Sequence, residues 1–594
     1  MAADRSRNPF VAAAKIGDRA GIRRLCRLAL ACGDVTGTAA ALKSAWQELG
    51  MLPFDRPRAL VVSSARPDLL ADAMRIGFAA ADYLVETAMV ANFDMVAARA
   101  AGRSDIVVVC THAEDVLRAS RDATTPEDGV RLAREAGGFV AETVQMVAHG
   151  SIVLCCEITP FSDAAGVPFD PVAIANAELA QRLPANAILL MNAEFAELVG
   201  DWLDPRLHAL AGTPYTQSVL AYIAYRAAAA ATAMAGRMIK LVITDLDGTL
   251  WPGVIAEDGI PAALETETGS SAHRSLRRAL AALPGRGIIL AAASHNDLAD
   301  TTEALALLQD GTLTPQSFAA IEAGWEPKPV LIGRLLERLN LDAAATMIID
   351  DDPVRCAGIH TAFPEADVRH MDGSADAFAA ELERDPLLSA PPFPTGSAMD
   401  RTRLYEIRAR AEAVRPASGS LEEFCRALDM RIAVAAVDDS LLPRAFELTR
   451  RTNQFNATGW RPALEEMRAA IGDPARIDFL LHLGDRFGDH GWVGLVLAAM
   501  DGRDCRIEGF YLSCRALGRT IETAMLAELA QRATAKGATY LAGEIATLPR
   551  NEPARDLYRR HDFEHVAPYE LPAYFRLALS AEPLAMPPLL KVER

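Results

Sequence analysis

The sequence predicts a multidomain α/β protein, and three observations carry this prediction. Short apolar runs alternate with helical stretches before residue 386, which is typical of parallel sheets covered by helices on both faces. The 594 residues exceed the size of one domain, so three or four domains are expected. A Pro-rich stretch, PLLSAPPFPTGS, interrupts the pattern at residues 386–397, and helices precede strands after it.

Changes in composition and in the predicted strand–helix pattern give the expected domain boundaries. Residues 1–235 should form a helical segment and an α/β domain, and residues 236–385 a doubly wound parallel sheet. Residues 386–398 are expected to be a linker, residues 399–578 an α+β domain and residues 579–594 a loosely packed tail.

The elements follow from apolar runs for strands and from helical periodicity for helices. In the first domain, strands are predicted at Ala59–Ser63, Ile106–Thr111, Ser151–Ile158 and Ala187–Met191, and a long helix at about Gln217–Met238. The second domain should have strands at Ile239–Thr244, Ile288–Ala293, Ser317–Ile321 and Thr346–Ile349, with helices at Ser271–Ala282 and Val330–Leu339. The third should have helices at Arg401–Val414, Leu441–Thr452 and Ile521–Ala535, with strands at Phe479–Leu483, Trp492–Ala499 and Cys505–Leu512.

Composition and charge argue against several classes of protein. The chain has 60 Lys and Arg against 78 Asp and Glu, a net charge of −18, whereas nucleic-acid-binding proteins carry a basic surface. No apolar stretch reaches the roughly 18 residues of a membrane span, and the charged N-terminus lacks the apolar core of a signal peptide. Nine cysteines without a CxxC pair argue against a disulfide scaffold. We expect a cytoplasmic protein that binds neither nucleic acid nor membrane.

The segment KLVITDLDGTL, residues 240–250, ends an apolar strand in two carboxylates. The carboxyl edge of a parallel sheet is where α/β enzymes bind ligands. There, Asp245 can attack phosphorus, and Asp247 can protonate the leaving oxygen and then activate water. A solvated strand-end turn is the alternative interpretation of this segment alone.

Other side chains at suitable places strengthen the case for phosphate chemistry. Thr249 in the same turn and Ser294 after the next strand can hold phosphoryl oxygens. Lys328, in the sequence WEPK, can neutralise the charge on the reacting phosphorus. Asp350 and Asp351 end a further predicted strand.

Carboxylates at neighbouring strand ends, facing a phosphate, call for a hard cation. Mg²⁺ with oxygen ligands fits this requirement. The predicted ligands are Asp245, Asp247, Asp350 and Asp351.

The order DxDGT, Ser, Lys, DD resembles the haloacid-dehalogenase (HAD) superfamily, whose domain is Rossmann-like. Residues 245–259 (DLDGTLWPGVIAEDG), 325–328 (WEPK) and 349–353 (IDDDP) resemble more closely its FkbH-like members, of HAD subfamily IIIC. The resemblance implies that Asp245 is the nucleophile, Asp247 the acid/base, Ser294 and Lys328 the phosphate ligands and Asp350 a metal ligand.

FkbH-like proteins of the glyceryl-carrier-protein synthase type load a glyceryl unit from 1,3-bisphosphoglycerate onto an acyl carrier protein. The resemblance therefore implies a Mg²⁺-dependent transferase and phosphatase of polyketide-type biosynthesis, with the carrier protein's phosphopantetheine arm as partner. Gly248, His295 and Asp352 stand where the family usually has Asn, Lys and Asn, which lowers the positive charge near the site. The short interval from Thr249 to Ala293 leaves little room for a large cap domain.

The third domain carries YLSCRALGRT at residues 511–520, between a strand and a helix. Such a turn can cradle an anion with backbone N–H groups. Its RxxGx spacing resembles the pyrophosphate loop of the GNAT acyltransferase fold, and SCRxLGR matches FkbH-like proteins. The resemblance implies a cradle for pantetheine-type phosphates made by Arg515, Gly518, Arg519 and Asn551.

Cys514 in this turn is a candidate nucleophile. At a helix N-terminus and beside two arginines, its thiol pKa should be depressed. It could take an acyl group from an acyl phosphate and pass it to a carrier thiol. A buried strand-end cysteine without chemistry is the alternative, and the other eight cysteines are expected in the core.

The first domain resembles the flavodoxin-like, SGNH-hydrolase-like region of long FkbH-like proteins through its strand–helix order and Asp204-Pro-Arg-Leu-His208. An active enzyme of that type would need a GDS-like block near the first strand, where this chain has Ser63-Ser64-Ala-Arg. We therefore expect a docking or scaffolding role without catalysis.

Two other functions stay open. One is a Mg²⁺-dependent phosphatase of a small metabolite, and the other is a non-catalytic scaffold that binds carrier proteins. Carrier proteins are usually acidic, so docking onto this acidic chain would need a local basic patch. The candidates for that patch are Arg555, Arg559 and Arg560, which a solvated helix face explains equally well, and also Arg515 and Arg519.

Overall fold

The computed structural model describes residues 8–593 except 53, 149, 162–168, 185, 261–263, 265–269, 309–310, 390–403, 405–406, 408–410, 412–413, 415–419, 453, 547–550, 567–572 and 580–583. Its contacts divide the chain into unit 1, residues 1–234 with 379–392, and unit 2, residues 235–378 with 393–594. None of the helices in the described ranges combines the length and hydrophobicity that crossing a bilayer requires.

Unit 1 contains a parallel sheet of five strands in the order β2-β1-β3-β4-β5. The strands are β1 (Arg58–Ser63), β2 (Glu86–Val90), β3 (Ile106–Cys110), β4 (Ile152–Cys156) and β5 (Ala187–Leu190). This is the order of flavodoxin-like doubly wound sheets. The four predicted strands are confirmed, and β2 was missed because only its last residue is buried.

Helices surround this sheet, and the last of them is deeply buried. They are α1 (Pro9–Ile16), α2 (Arg19–Cys32), α3 (Val35–Leu49), α4 (Asp68–Ala80), α5 (Met95–Ala100), α6 (Ala113–Val116), α7 (Arg118–Arg121), α8 (Pro126–Val147), α9 (Pro171–Arg182), α10 (Asn192–Val199), α11 (Pro205–Ala211) and α12 (Gln217–Met234). Alanines let α12 approach α4 so closely that a Cβ on Gly77 would lie 2.5 Å from the Ala224 carbonyl oxygen. The predicted extension of α12 to Met238 is wrong, because Gly236 adopts a left-handed φ of 69°.

The first sheet of unit 2 is also parallel, in the order β10-β9-β6-β7-β8. Its strands are β6 (Leu241–Thr244), β7 (Ile289–Ser294), β8 (Ala320–Ala323), β9 (Thr346–Asp350) and β10 (Asp367–His370). The helices of this part of the chain are α13 (Ile255–Asp258), α14 (Ser270–Ala281), α15 (Leu298–Leu307), α16 (Lys328–Leu339), α17 (Pro353–Ala362) and α18 (Ala375–Glu383). The third predicted strand begins later than expected, because Pro315–Ser317 forms a 3-10 turn.

The linker prediction for residues 386–398 is wrong at its start, and residues 390–398 lie outside the described ones. Pro386–Leu388 forms a buried 3-10 helix that belongs to unit 1. Nearby, the buried Arg27 of α2 pairs with Glu381 and Asp385 at 3.7 Å each. Apolar burial and this ion pair hold the segment in unit 1.

The second sheet of unit 2 has eight mainly antiparallel strands in the order β16-β17-β15-β14-β13-β12-β11-β18. They are β11 (Arg431–Ala436), β12 (Phe479–Asp485), β13 (Gly488–Asp501), β14 (Asp504–Leu512), β15 (Tyr540–Ile545), β16 (Glu564–Val566), β17 (Ala573–Ala578) and β18 (Lys591–Glu593). The accompanying helices are α19 (Leu421–Leu428), α20 (Leu442–Arg451), α21 (Leu464–Ala469) and α22 (Ile521–Ala535). The predicted helix Arg401–Val414 lies largely outside the described residues. The prediction of a loosely packed tail at residues 579–594 is wrong near its end, because β18 pairs with β11.

A short internal segment completes this sheet where two strands diverge. Strands β14 and β15 pair in parallel only over Asp504–Ile507 and Tyr540–Gly543. Beyond that point lies the bridging segment, Phe455–Ala457, which is fully buried. The Ala457 N–H donates to Phe510 O at 3.2 Å, the Leu512 N–H to Phe455 O at 3.0 Å and the Ala546 N–H to Ala457 O at 2.9 Å. The bridging segment therefore satisfies backbone groups of both diverging strands.

Candidate functional site

Three predicted residues meet at the carboxyl edge of the first sheet of unit 2. Asp245 follows β6, Ser294 ends β7 and Asp350 ends β9, and these strands are neighbours in the order β9-β6-β7. All three side chains are almost fully buried. Parallel pairing thus brings together residues that lie far apart in the sequence.

Lys328, the first residue of α16, holds this edge together. Its ammonium donates to Asp245 Oδ1 and to the Ala293 carbonyl, both at 2.5 Å, and lies 3.6 Å from Asp350 Oδ2. Because the lysine is only 3% exposed, its desolvation must be offset by these carboxylates. The cation lies beside the predicted nucleophile, where it can also face a phosphoryl group.

Asp245, Asp350 and Asp351 form a compact group of carboxylates. One oxygen of each lies within 4.8 Å of the others. Burial, followed by the charge of Asp245, raises the pKa of Asp350 to about 7, and the same two causes raise the pKa of Asp351. A divalent cation would relieve this repulsion, and an all-oxygen donor set of this kind fits Mg²⁺.

Asp247 lies outside this group, so the structure does not bring its carboxylate together with those of the other three predicted metal ligands. Its Oδ1 accepts a hydrogen bond from Trp251 Nε1 and its Oδ2 one from Asn296 Nδ2, each at 2.7 Å. Asn296 also donates to Ser294 Oγ at 3.0 Å. The Asp247 carboxylate is thus oriented by protein donors, an arrangement that suits proton transfer better than metal ligation.

Thr249 and Gly248 form the turn beneath the site. The Thr249 hydroxyl is fully buried and has no hydrogen-bond partner among the described residues, so it is available to a phosphoryl oxygen. Gly248 has a φ of 69°, and a Cβ there would lie 2.2 Å from Asp351 Oδ2. Glycine therefore lets the turn approach the carboxylate group.

Sequence reasoning missed Arg355 in α17. Its Nη1 donates to Asp245 Oδ2 at 3.1 Å, and its side chain is 36% exposed. Burial, and next the charge of Lys328, lowers the pKa of His295, so this histidine adds no positive charge at neutral pH. Arg355 restores the charge that His295 and Asp352 were expected to remove. Only its position two residues after the IDDDP segment could have indicated this.

The predicted phosphate cradle of the eight-stranded sheet is corrected at two residues. Arg519 is fully buried, where its Nη1 lies 3.2 Å from both Asp485 Oδ2 and His490 Nε2. Asn551 is also buried and donates through Nδ2 to Ala546 O at 2.6 Å and to Asn456 O at 3.2 Å. Both side chains therefore have structural partners in the interior. Arg519 belongs to an ionic network, and Asn551 holds the bridging segment in place.

The other two cradle residues lie in the turn before α22. Arg515 is buried, with its Nε 3.3 Å from Ser513 Oγ. Gly518 has a φ of 70°, and Thr520 has a φ of 59°. A β-branched residue in the left-handed region is strained, so the surrounding structure imposes this turn.

Cys514 does not lie at a helix N-terminus, which corrects that expectation. It begins a 3-10 turn, Cys514–Ala516, whereas α22 begins only at Ile521. Its side chain packs against the core of the first sheet, and its carbonyl accepts a hydrogen bond from Asn340 Nδ2 at 3.1 Å. Asn340 caps α16 before β9 begins. Cys514 thus lies towards the amino edge of the sheet whose carboxyl edge holds Asp245.

The remaining cysteines are mostly in the core, as predicted. Seven of the other eight are buried, and Cys32 at the end of α2 is exposed.

The residues singled out in unit 1 have structural partners. Ser64 Oγ donates to Asp115 Oδ2 at 2.8 Å and accepts from the His112 N–H at 3.0 Å. Asp204 caps α11 by accepting from the Arg206 and Leu207 N–H groups. The His208 ring lies 5.8 Å from the ring of His112.

His112, which follows β3, is a strongly perturbed titratable group of unit 1. Its ring is 1% exposed and lies 5.7 Å from the Tyr215 ring. Burial, and next the proximity of His208, lowers the pKa of His112 to about 3. The imidazole is therefore neutral in the folded protein.

Some solved structures are similar to this chain. One is the N-terminal part of the protein BF1531 from Bacteroides fragilis, containing a phosphatase domain complexed with Mg, at 17% identity, a TM-score of 0.44, and coverage of 57% of this chain and 95% of that one. Another is the ribosomal-protein-S18-alanine N-acetyltransferase from Escherichia coli, at 14% identity, a TM-score of 0.20, and coverage of 25% and 96%. A third is the spermidine N-acetyltransferase from Vibrio cholerae in complex with CoA and spermine, at 15% identity, a TM-score of 0.20, and coverage of 24% and 92%.

No protein-family model matches the chain, and no curated protein sequence matches it. The chemistry of the site is therefore inferred from its own residues.

If the carboxylate group binds Mg²⁺, Asp351→Asn should weaken Mg²⁺ affinity by at least roughly tenfold, since it removes one anionic ligand. Asp352→Asn is the matched control, because Asp352 caps α17 and asparagine caps equally well. Isothermal titration with Mg²⁺ measures both. Equal losses in the two variants would contradict the assignment.

The buried His112 predicts an acid-sensitive unit 1. Its folded pKa of about 3 lies below the ordinary value of 6.5, so only the unfolded state binds the proton between these values. The free energy of opening should fall as pH decreases through that window, by up to about 1.4 kcal/mol per pH unit. Hydrogen exchange of β3 amides, corrected for intrinsic rates, should show a shallower pH dependence in His112→Phe. Replacing the exposed His360 with Gln should leave the slope unchanged.

Proposed function

We propose that the carboxyl edge of the first sheet of unit 2 is a Mg²⁺-dependent phosphoryl-transfer site with Asp245 as nucleophile. The single observation that carries this proposal is the grouping of Asp245 with Asp350, Asp351 and the ammonium of Lys328. A purely structural ion pair would not need three carboxylates within 4.8 Å of one another.

The chain's own residues account for each step of phosphate removal. Asp245 attacks phosphorus and forms an aspartyl phosphate, while the bond to the leaving oxygen breaks and Asp247 supplies its proton. Asp247 then takes a proton from a water molecule while the water oxygen attacks phosphorus and the bond between Asp245 and phosphorus breaks, which releases inorganic phosphate and restores the Asp245 carboxylate. Lys328, Ser294 and Thr249 hold the phosphoryl oxygens. Mg²⁺ on Asp245, Asp350 and Asp351 would neutralise the negative charge of the phosphoryl group.

We further propose that the substrate is a phosphorylated three-carbon acid such as 1,3-bisphosphoglycerate. In this proposal, Cys514 takes the glyceryl group as a thioester and passes it to the phosphopantetheine thiol of an acyl carrier protein, as in FkbH-like proteins. The supporting observations are the resemblance of the motifs and the position of Cys514 within the same unit as the phosphoryl site.

One observation favours the second candidate, a phosphatase of a small phosphorylated metabolite. Asp245 and Cys514 lie towards opposite edges of one sheet, so a three-carbon substrate cannot touch both at once. Glyceryl loading would then need a substrate or an arm that moves between the two places. The bridging segment also takes up backbone groups that an arm could otherwise pair with.

Intact-mass analysis of a phosphopantetheinylated carrier protein separates the two candidates. With generated 1,3-bisphosphoglycerate and Mg²⁺, the wild type should add a glyceryl increment. Cys514→Ala should add none, because the thioester cannot form, and Asp245→Asn should leave the increment phosphorylated or absent. The exposed Cys32→Ala is the control and should load normally. Released phosphate without any increment would favour the small-metabolite phosphatase.

Carrier docking should depend on the exposed Arg559 and Arg560. Arg560 pairs with Asp556 at 3.0 Å and Glu522 at 3.5 Å, yet both arginines face solvent. The double reversal Arg559→Glu, Arg560→Glu should slow loading by roughly tenfold at low salt without changing phosphate release. Arg506→Glu, on the exposed face of β14, is the matched control. Loading rates equal to wild type would rule out this patch.

A further inference from the structure

A small cavity lies beside Cys514, towards the amino edge of the first sheet of unit 2. Its volume is about 50 Å³. It is lined by Lys240, which precedes β6, and by Asp342, which precedes β9. It is also lined by Arg444 and Arg451 of α20. Since one water needs about 10–15 Å³ on this measure, the cavity has room for a few waters or one small oxyanion.

Cations outnumber carboxylates among the described residues around this cavity. Among the described residues that line it, Lys240, Arg444, Arg451 and Arg515 are cationic, and only Asp342 is acidic. Glu447 adds a second carboxylate next to these cations, 2.7 Å from Arg444 and 4.0 Å from Arg451. A net positive cavity is unusual in a chain of net charge −18.

Several of these cations are held in place inside the protein. The Lys240 ammonium donates to the Arg451 carbonyl at 2.5 Å, and Arg444 donates to the Trp492 carbonyl at 2.6 Å. Arg444 and Arg515 are each less than one-tenth exposed. Several cations fixed around one small cavity attract an anion into it.

We propose that this cavity is a binding site for one small oxyanion, a phosphate or carboxylate group, held next to the Cys514 thiol. The fixed cations supply charge-assisted hydrogen bonds, and the small volume excludes a nucleotide or a sugar phosphate.

This site would assist the proposed reaction of Cys514, and that part of the inference rests on the proposed function. The bound group would be the phosphate of an acyl phosphate. The Cys514 sulfur forms a bond to the acyl carbon while the carbon–oxygen bond to phosphate breaks. Inorganic phosphate leaves with the electron pair and takes the thiol proton. The cations stabilise that leaving group.

The oxyanion site can be tested without turnover, by alkylating the thiol with an anionic and a neutral reagent. Iodoacetate and iodoacetamide differ in one charge and little else, and peptide mass spectrometry reports each cysteine separately. The ratio of the iodoacetate rate to the iodoacetamide rate should be at least roughly fivefold higher at Cys514 than at the exposed Cys32. Inorganic phosphate should protect Cys514 saturably, beyond chloride at equal ionic strength.

Single variants test whether the cations cause this preference. Lys240→Met and Arg451→Met should each lower the ratio at Cys514 and weaken protection by phosphate. The exposed Lys15→Met makes the same charge change in unit 1 and should alter neither. Acetate in place of phosphate distinguishes a carboxylate from a phosphate site.

Equal ratios at Cys514 and Cys32 with no protection by phosphate would overturn the oxyanion site. Absence of labelling at Cys514 by both reagents would overturn it as well, because the cavity would be closed to small solutes. Asp245→Asn should keep the wild-type labelling pattern. A protein that fails to load carriers but shows this pattern would contradict the proposed function alone.

Discussion

The carboxyl edge of the first sheet of unit 2 depends on one buried contact, that between the Lys328 ammonium and Asp245. The lysine also donates to the Ala293 carbonyl of β7, so it ties two neighbouring strands to the start of α16. Without it, Arg355 would be the main cation left beside the closely spaced carboxylates of Asp245, Asp350 and Asp351 among the described residues. Arg355 donates to the other oxygen of the same Asp245 carboxylate, so both oxygens of the proposed nucleophile are held by cations.

The sequence predicted this edge well, because its signals are local. An apolar strand followed by a polar side chain marks a strand end, and the parallel-sheet rule then brings the ends together. Asp245, Ser294 and Asp350 were found in this way, whereas Lys328 was found from its place in the WEPK segment. Arg355 was missed because nothing in its local sequence shows that α17 directs it at Asp245.

The eight-stranded sheet shows where such reasoning stops. The SCRALGRT motif located the turn, but burial and partners come from distant residues. Arg519 meets Asp485 across 34 residues, and Asn551 meets Asn456 across 95. The bridging segment is likewise invisible in the sequence, since it pairs with strands that follow it by more than 50 residues. Arg519 and Asn551 were predicted to bind phosphate, but contacts with residues distant in the sequence place both side chains in the interior.

The path of the chain through unit 1 also constrains the order in which the protein can fold during synthesis. Arg27 can pair with Glu381 and Asp385 only after these two residues have been synthesised. They follow all five strands of the first sheet of unit 2 in the sequence. That sheet is built from consecutive strand–helix repeats and can form locally. In the nascent chain, Arg27 must therefore stay hydrated although it is buried in the folded protein. Unit 1 also stays incomplete while the first sheet of unit 2 folds. Ribosome pausing between residues 234 and 389 would prolong that exposed state, which is a natural substrate for chaperones.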